Sequence, residues 1–263
     1  MTDFDRLIPP LIDLSRQAGD AILRIYNDPK IAAAVDYKSD NSPLTQADRA
    51  AHTLIAQALH ALRPDIPLLS EEGREIEYAE RRQWQQFWLV DPLDGTKEFV
   101  KRNGEFTVNI ALIKGGAPVL GVVHVPVSGE TYYAAKGQGA WQVAPGAAAQ
   151  RMNSRTFSLT DTGLRLVCSR SHMSPEVEAY LQQFRDPETV SMGSSLKFML
   201  LAQGRADVYP RLAPTMEWDT AAAHIIVDEA GGSVIDQETG KPLRYNKENL
   251  RNPHFIAFGQ TNH

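Results

Sequence analysis

The chain has a single cysteine, Cys168, among 263 residues. An intrachain disulfide is therefore excluded, and a reducing compartment such as the cytoplasm suits it. Its seven histidines are scattered, and no His/Cys cluster has the spacing of a zinc site. Basic charge is not in excess. The 27 Lys and Arg residues face 32 Asp and Glu, a net charge of −5, whereas a binder of DNA or RNA polymer usually needs a basic field. A small phosphorylated ligand held by a few local Lys and Arg residues stays compatible with that balance. No apolar run approaches the ~20 residues that span a bilayer. Any association with the inner membrane face would have to be peripheral. The acidic start of the chain, with its two early prolines, lacks the basic-then-apolar pattern of a secretion signal. Internal repeats are also missing.

What is present is a chain with 43% hydrophobic residues, enough for one enzyme-sized unit or two joined subdomains. Leu7, Leu11, Leu14, Ala18 and Ile22 recur at helical spacing and predict a helix over 4–26. A polar loop is expected at 37–45 and a second helix over about 46–62. Residues 66–69 read as a strand that stops at Ser70-Glu71-Glu72, and 87–90 as a buried strand. Strands at 105–114, 117–125 and 130–135 are separated by Gly115-Gly116 and by Val127-Ser128-Gly129. The stretch 143–151 reads as a connection between an N-terminal α+β subdomain, 1–150, and a C-terminal α/β subdomain, 151–263. In the second, strands at 164–168, 206–209, 233–235 and 254–258 alternate with helices at 176–184, 194–203 and 219–229. Cys168, at the end of an apolar run, reads as a core residue.

The apolar run 87–90 ends on Asp91-Pro92-Leu93-Asp94-Gly95-Thr96. Two carboxylates three residues apart, set by a proline and a glycine, are costly to hold in one volume unless a cation neutralises them. Further acids stand at Asp48, Glu71-Glu72 and Glu217-Trp218-Asp219. Each alone has a structural explanation: an acid in a first helical turn, a solvated turn, an N-cap. Together they lie at strand ends and helix starts, the termini that converge on the active edge of a layered fold. Oxygen-only ligands suit a hard cation such as Mg²⁺.

The motif Asp91-Pro92-Leu93-Asp94-Gly95-Thr96 resembles the first signature of the inositol monophosphatase-like, lithium-sensitive phosphatases. Trp218-Asp219-Thr220-Ala221-Ala222-Ala223, continuing to Glu229-Ala230-Gly231-Gly232, resembles the second. With Glu71-Glu72 and Thr45-Gln46-Ala47-Asp48, the resemblance spans nearly the whole chain. Lys97-Glu98-Phe99, Ser169-Arg170-Ser171-His172 and Gly193-Ser194-Ser195-Leu196-Lys197-Phe198 are similar to the bacterial 3′(2′),5′-bisphosphate nucleotidases of that superfamily.

The resemblance implies an α+β layered sandwich (αβαβα) and an enzyme that removes the 3′-phosphate of adenosine 3′,5′-bisphosphate. The sulfonucleotide precursor is a further substrate, and sulfate assimilation is the setting. An inositol or sugar phosphatase is the alternative, and a non-catalytic nucleotide sensor a third reading. Two or three Mg²⁺ ions are implied. Glu71, Asp91 and the Leu93 carbonyl would hold one, and Asp91, Asp94 and Asp219 the second. Asp40 or Glu72 would serve a third. Asp48 and Thr96 match the water-activating pair, with Gly95 and Thr96 as donors to the reacting phosphate. His172 matches a position near the adenine or ribose. Ser194, Ser195 and Lys197, expected to open a helix, and Arg211 would hold the retained phosphate. The chain would act as a monomer or homodimer.

Overall fold

The computed structural model describes residues 3–28, 42–168 and 174–262. Asp40 and the Ser169-to-His172 segment lie outside the described residues. Helix α1 (Asp3–Tyr26) forms where the apolar periodicity places it, and α2 (Pro43–Leu62) starts three residues before the expected position. Ser42 caps α2 by accepting from the Thr45 amide, and Pro43 occupies the first turn, where no donor is needed. The expected loop therefore ends at Ser42 rather than Thr45.

Seven strands follow in one sheet of sequential order: β1 (Leu68–Ser70), β2 (Gln86–Asp94), β3 (Thr107–Lys114), β4 (Ala117–His124), β5 (Thr131–Ala135), β6 (Ala140–Val143) and β7 (Gln150–Met152). Within this sheet, among the described residues, only β1 and β2 pair in parallel. The short helices α3 (Tyr78–Arg81) and α4 (Thr96–Lys101) flank β2. The stretch 143–151 is thus partly hairpin, because β7 returns along β6.

The remaining chain adds β8 (Thr156–Phe157), β9 (Arg165–Cys168), α5 (Pro175–Leu181), β10 (Glu188–Ser191), α6 (Leu196–Ala202), β11 (Val208–Arg211), α7 (Glu217–Glu229), β12 (Ser233–Asp236), β13 (Phe255–Phe258) and β14 (Gln260–Thr261). Five of these strands form a second sheet, ordered β10-β9-β11-β13-β12.

Strand alternation assigns the layers. On β2 and β3, Trp88, Val90, Val108, Ile110 and Leu112 pack with Leu11, Ile22 and Ile55 of α1 and α2. Phe87, Leu89, Ala111 and Ile113 face the other way, onto Met199, Leu200, Ala222 and Ile226 of α6 and α7. That same middle core takes in Val167, Tyr209 and Phe255 of the second sheet. The outer face of the second sheet, with Leu166, Cys168 and Val208, is covered by Val177, Tyr180 and Leu181 of α5. The order α1/α2, sheet, α6/α7, sheet, α5 is the αβαβα sandwich. Cys168 is buried there, and burial pushes its thiol pKa up. The helix α7 lies closely on β4 because Gly121 has no side chain; a Cβ there would collide with the Ala222 carbonyl.

Candidate active site

The first four residues of the motif expected to follow a strand, Asp91 to Asp94, are themselves strand, and Thr96 opens α4. Asp91 pairs with Asn109 and Asp94 with Thr107, so three steps along β2 oppose two along β3. The extra residue is a bulge, and Pro92, which has no N–H to give, sits within it. The consequence is geometric. Phe87, Leu89 and Asp91 share one face by alternation, and the bulge's extra residue restores Asp94 to that face. Without the bulge, two side chains three apart would point to opposite faces. Asp91 Oδ1 accepts from the Leu93 amide at 3.0 Å, which fixes its rotamer.

β1 brings the next acid. Ser70 lies in register with Val90, and the Glu71 amide donates to the Val90 carbonyl at 3.2 Å. β1 ends at Ser70, and in the turn that follows the pair Glu71-Glu72 separates. Glu71 lines the central cavity, while the charge of Glu72 bears on His52 of α2. On the opposite wall α7 begins. Its third residue, Asp219, accepts from the Met216 amide at 2.9 Å, a capping contact that holds the carboxylate at the helix start. One carboxylate oxygen each from Glu71, Asp91 and Asp219 lies within 4.8 Å of the others. Asp94 joins them along the same cavity, about 580 Å³ in volume.

This crowding has an electrostatic signature. Asp91 is only 1% exposed. Burial, then Glu71, Asp94, Asp219 and Asp48, push its pKa well above the carboxylate range. Asp219 is pushed up to about 7, first by burial and then by Asp94 and Glu71, while the Met216 amide and Arg211 oppose the shift. Carboxylates crowded closely enough to raise the pKa of Asp91 and Asp219 fit a cation of two positive charges, and oxygen donors without nitrogen or sulfur fit Mg²⁺.

A pH dependence follows. A carboxyl whose folded pKa lies above its unfolded value favours the fold fully below the unfolded pKa and loses that contribution as pH rises through the folded one. For Asp219 the window runs from the ordinary carboxylate value of 3.8 to about 7. Chelator-treated protein should therefore lose up to ~4 kcal/mol of stability across that window from this group alone, at 1.4 kcal/mol per unit. The difference in Tm between Mg²⁺-saturated and chelated protein should widen from pH 5 to pH 7.5, as thermal melts would show.

The other expected residues divide. Leu93, Gly95, Thr96, Ser194, Ser195, Lys197 and Arg211 all line the cavity. Asp48, half-buried on α2, reaches the site through its effect on Asp91. His172 lies outside the described residues. The helix expected from 194 begins at Leu196, and Ser194 instead adopts a left-handed φ of 47°. Ser195 does not offer a free amide. Its N–H donates to Asp94 Oδ2 at 2.7 Å, and its hydroxyl lies 2.9 Å from the same oxygen. Lys197 Nζ donates to the Ser194 carbonyl at 2.9 Å. Arg211 gives Nη2 to the Pro214 carbonyl, but its buried Nε has no hydrogen-bond partner among the described residues.

Sequence reasoning missed Thr107 and Asn109, buried polar residues on the inner face of β3. Their signal was two polar positions two apart in an otherwise apolar strand. It also missed Lys97 and Lys101, which line the cavity from α4.

Gly95 is required where it stands. Its φ is 98°, and a Cβ would come within 3.0 Å of Ser194 Cβ and 3.1 Å of the Glu105 carbonyl. Gly95→Ala should lower kcat/KM at least tenfold, because Asp94 and Thr96 flank the displaced residue; steady-state kinetics with a melting curve would check it.

Comparison with known proteins agrees with this geometry. Residues 3–257 match the Inositol monophosphatase family. The 3′(2′),5′-bisphosphate nucleotidase CysQ of Escherichia coli (strain K12) is 50% identical over 254 residues, covering 95% of this chain and 98% of that protein. The nucleotidase of the same name from Haemophilus influenzae is 35% identical over 257 residues, 97% of this chain and 93% of its own. Among solved structures, CysQ from Bacteroides thetaiotaomicron superposes with a TM-score of 0.87 at 46% identity, covering 98% of each chain. An inositol monophosphatase from Zymomonas mobilis gives 0.79 at 25% identity, over 99% of this chain and 95% of that one. On the match across nearly its full length, the chain belongs to the inositol monophosphatase family.

Proposed function

We propose that this chain is a Mg²⁺-dependent phosphomonoesterase that removes the 3′-phosphate of adenosine 3′,5′-bisphosphate, leaving AMP and phosphate. The observation that carries the reading is the charge lining of one cavity. Glu71, Asp91, Asp94 and Asp219 form its acidic end, and Lys97, Lys101, Lys197 and Arg211 line the same space together with Glu98 and Glu105. A substrate with two phosphates meets both: one phosphate at the acidic end, whose carboxylates would hold cations that neutralise it, and one at the basic groups. The names of the nucleotidases at 35–50% identity support the same substrate class. The sulfonucleotide with a 5′-phosphosulfate carries the same 3′-phosphate and is a second expected substrate. Recycling in sulfate assimilation is the implied setting.

Glu71, Asp91 and the Leu93 carbonyl would hold one Mg²⁺, and Asp91, Asp94 and Asp219 another, with Asp91 shared. When bound, the metal neutralises phosphate charge and makes water more acidic. The chain's own residues do the rest. Asp48 orients the Thr96 hydroxyl, which aligns the attacking water behind phosphorus. Amides at Gly95 and Thr96 receive charge that builds on the phosphoryl oxygens. Lys197 and the unpartnered Nε of Arg211 hold the retained phosphate, with Ser194 beside them. His172 is assigned to the base or ribose from its sequence context alone.

Identifying the product tests the assignment. Phosphorus NMR or chromatography should show AMP, with the 5′-phosphate kept. Adenosine 3′-phosphate as the product would contradict it. A sensor without catalysis is disfavoured, because each carboxylate of the cation site is present.

A further inference from the structure

The segment Gly193-Ser194-Ser195 is fastened, residue by residue, to alternate positions leading along β3. The Gly193 amide donates to Glu105 Oε2 at 2.8 Å. Ser194 Oγ lies 2.7 Å from Thr107 Oγ1. Ser195 Oγ accepts from Asn109 Nδ2 at 2.9 Å. Positions 105, 107 and 109 share one side of an extended chain, and Thr107, Asn109 and Ser195 are buried.

Donor counting gives the chain of bonds a direction. Thr107 Oγ1 donates its only proton to Asn109 Oδ1 at 3.0 Å, so Ser194 must donate to Thr107. That leaves the Asn109 amide to donate at its other end, to Ser195 Oγ and, at 3.5 Å, to Asp94 Oδ2. Ser195 then presents its amide at 2.7 Å and its hydroxyl at 2.9 Å to the same Asp94 Oδ2. The hydroxyl's one proton is shared with the Asp219 carbonyl, also 2.9 Å away at the start of α7, so the Ser195 amide is the undivided donor to Asp94. Among the described residues, the hydrogen bonds to Asp94 converge on one oxygen.

We propose that Asn109 and Ser195 are positioning residues that lock the Asp94 carboxylate through Oδ2 and so present Oδ1 to the cation. Ser195 is then a support for the metal site rather than a phosphate ligand. The latch also makes cation affinity depend on the Gly193–Ser195 segment, which joins the second sheet to the first. The inference rests on the cation-site reading above, and its test separates the two.

Mn²⁺ binding to chelated and repurified protein is measured by electron paramagnetic resonance, without substrate. Wild type should bind. Ser195→Ala and Asn109→Ala, each confirmed folded by circular dichroism, should bind about 10–100-fold more weakly, the range for lost support of a metal ligand. At saturating metal, KM for adenosine 3′,5′-bisphosphate should stay within about threefold of wild type. The double variant should be little weaker than either single one, since both act through one oxygen. Wild-type Mn²⁺ affinity in folded Ser195→Ala, with a raised KM, would overturn the proposal and return Ser195 to the phosphate. Failure of the wild type to bind Mn²⁺ would overturn the cation-site reading and this proposal with it.

Discussion

Replacing Asp91 with asparagine is expected to reduce kcat/KM about a thousandfold or more, while making the metal-free protein more stable. The two effects have one cause. Asp91 is the carboxylate assigned to both cations, and removing its charge removes the bridge; a loss of ~4 kcal/mol of transition-state stabilisation is a thousandfold in rate. Without metal the same charge is a liability. It is fully buried, and Glu71, Asp94 and Asp219 all repel it. Asparagine is nearly isosteric and keeps the oxygen that accepts the Leu93 amide, so the bulge is retained. The chelated variant is expected to be more stable than chelated wild type at neutral pH, because burial and the neighbouring carboxylates raise the Asp91 pKa and asparagine carries no charge there. Urea unfolding with and without Mg²⁺ reads both sides. Wild type should gain much more from Mg²⁺ than the variant. A variant less stable than wild type in chelator would show that Asp91 serves the fold and not a cation.

At saturating Mg²⁺, Arg211→Ala is expected to cut kcat/KM for adenosine 3′,5′-bisphosphate about 10–100-fold and to leave adenosine 3′-phosphate nearly unchanged. The magnitude is that of one hydrogen bond to a charged group, ~1.5–3 kcal/mol. The selectivity is the informative part. Arg211 is the cavity-lining cation with a buried donor that no described residue satisfies, so the energy of that donor is available only to a ligand. Arg211 also restrains the pKa rise of Asp219. Some loss with both substrates is therefore expected from weaker cation binding, and saturating Mg²⁺ should remove it. Equal losses with both substrates at saturating Mg²⁺ would place Arg211 with the cation site and not with the second phosphate.

Much of this was legible in the sequence. The layers follow from apolar periodicity: Leu7 to Ile22 gave α1, and the alternation across β2 and β3 sets which side chains face α1/α2 and which face α6/α7. The acids at Asp91, Asp94, Glu71 and Asp219, each picked out by its motif, line one cavity. What was not legible depends on long-range pairing. The bulge between Asp91 and Asp94 is a register shift against β3, invisible without the partner strand. The choice of Glu71 over Glu72 needed the register of β1 with β2. The segment 194–195 reads as a helix start with open amides, but Ser194 takes a left-handed φ of 47° and the Ser195 amide is taken up by Asp94, while Thr107 and Asn109, residues far away in sequence, hold the two hydroxyls. Local pattern favoured the helix; tertiary hydrogen bonds decided otherwise.

The central claim is a cation-dependent phosphatase whose cavity is built for two phosphates. The most direct measurement is phosphate release by the wild-type chain, in Mg²⁺, from adenosine 3′,5′-bisphosphate and from inositol monophosphate at matched concentrations. The account predicts a kcat/KM at least about a hundredfold higher for the bisphosphate, the value of one extra charge-assisted phosphate contact, and no release from either in chelator. A preference for inositol monophosphate would contradict it.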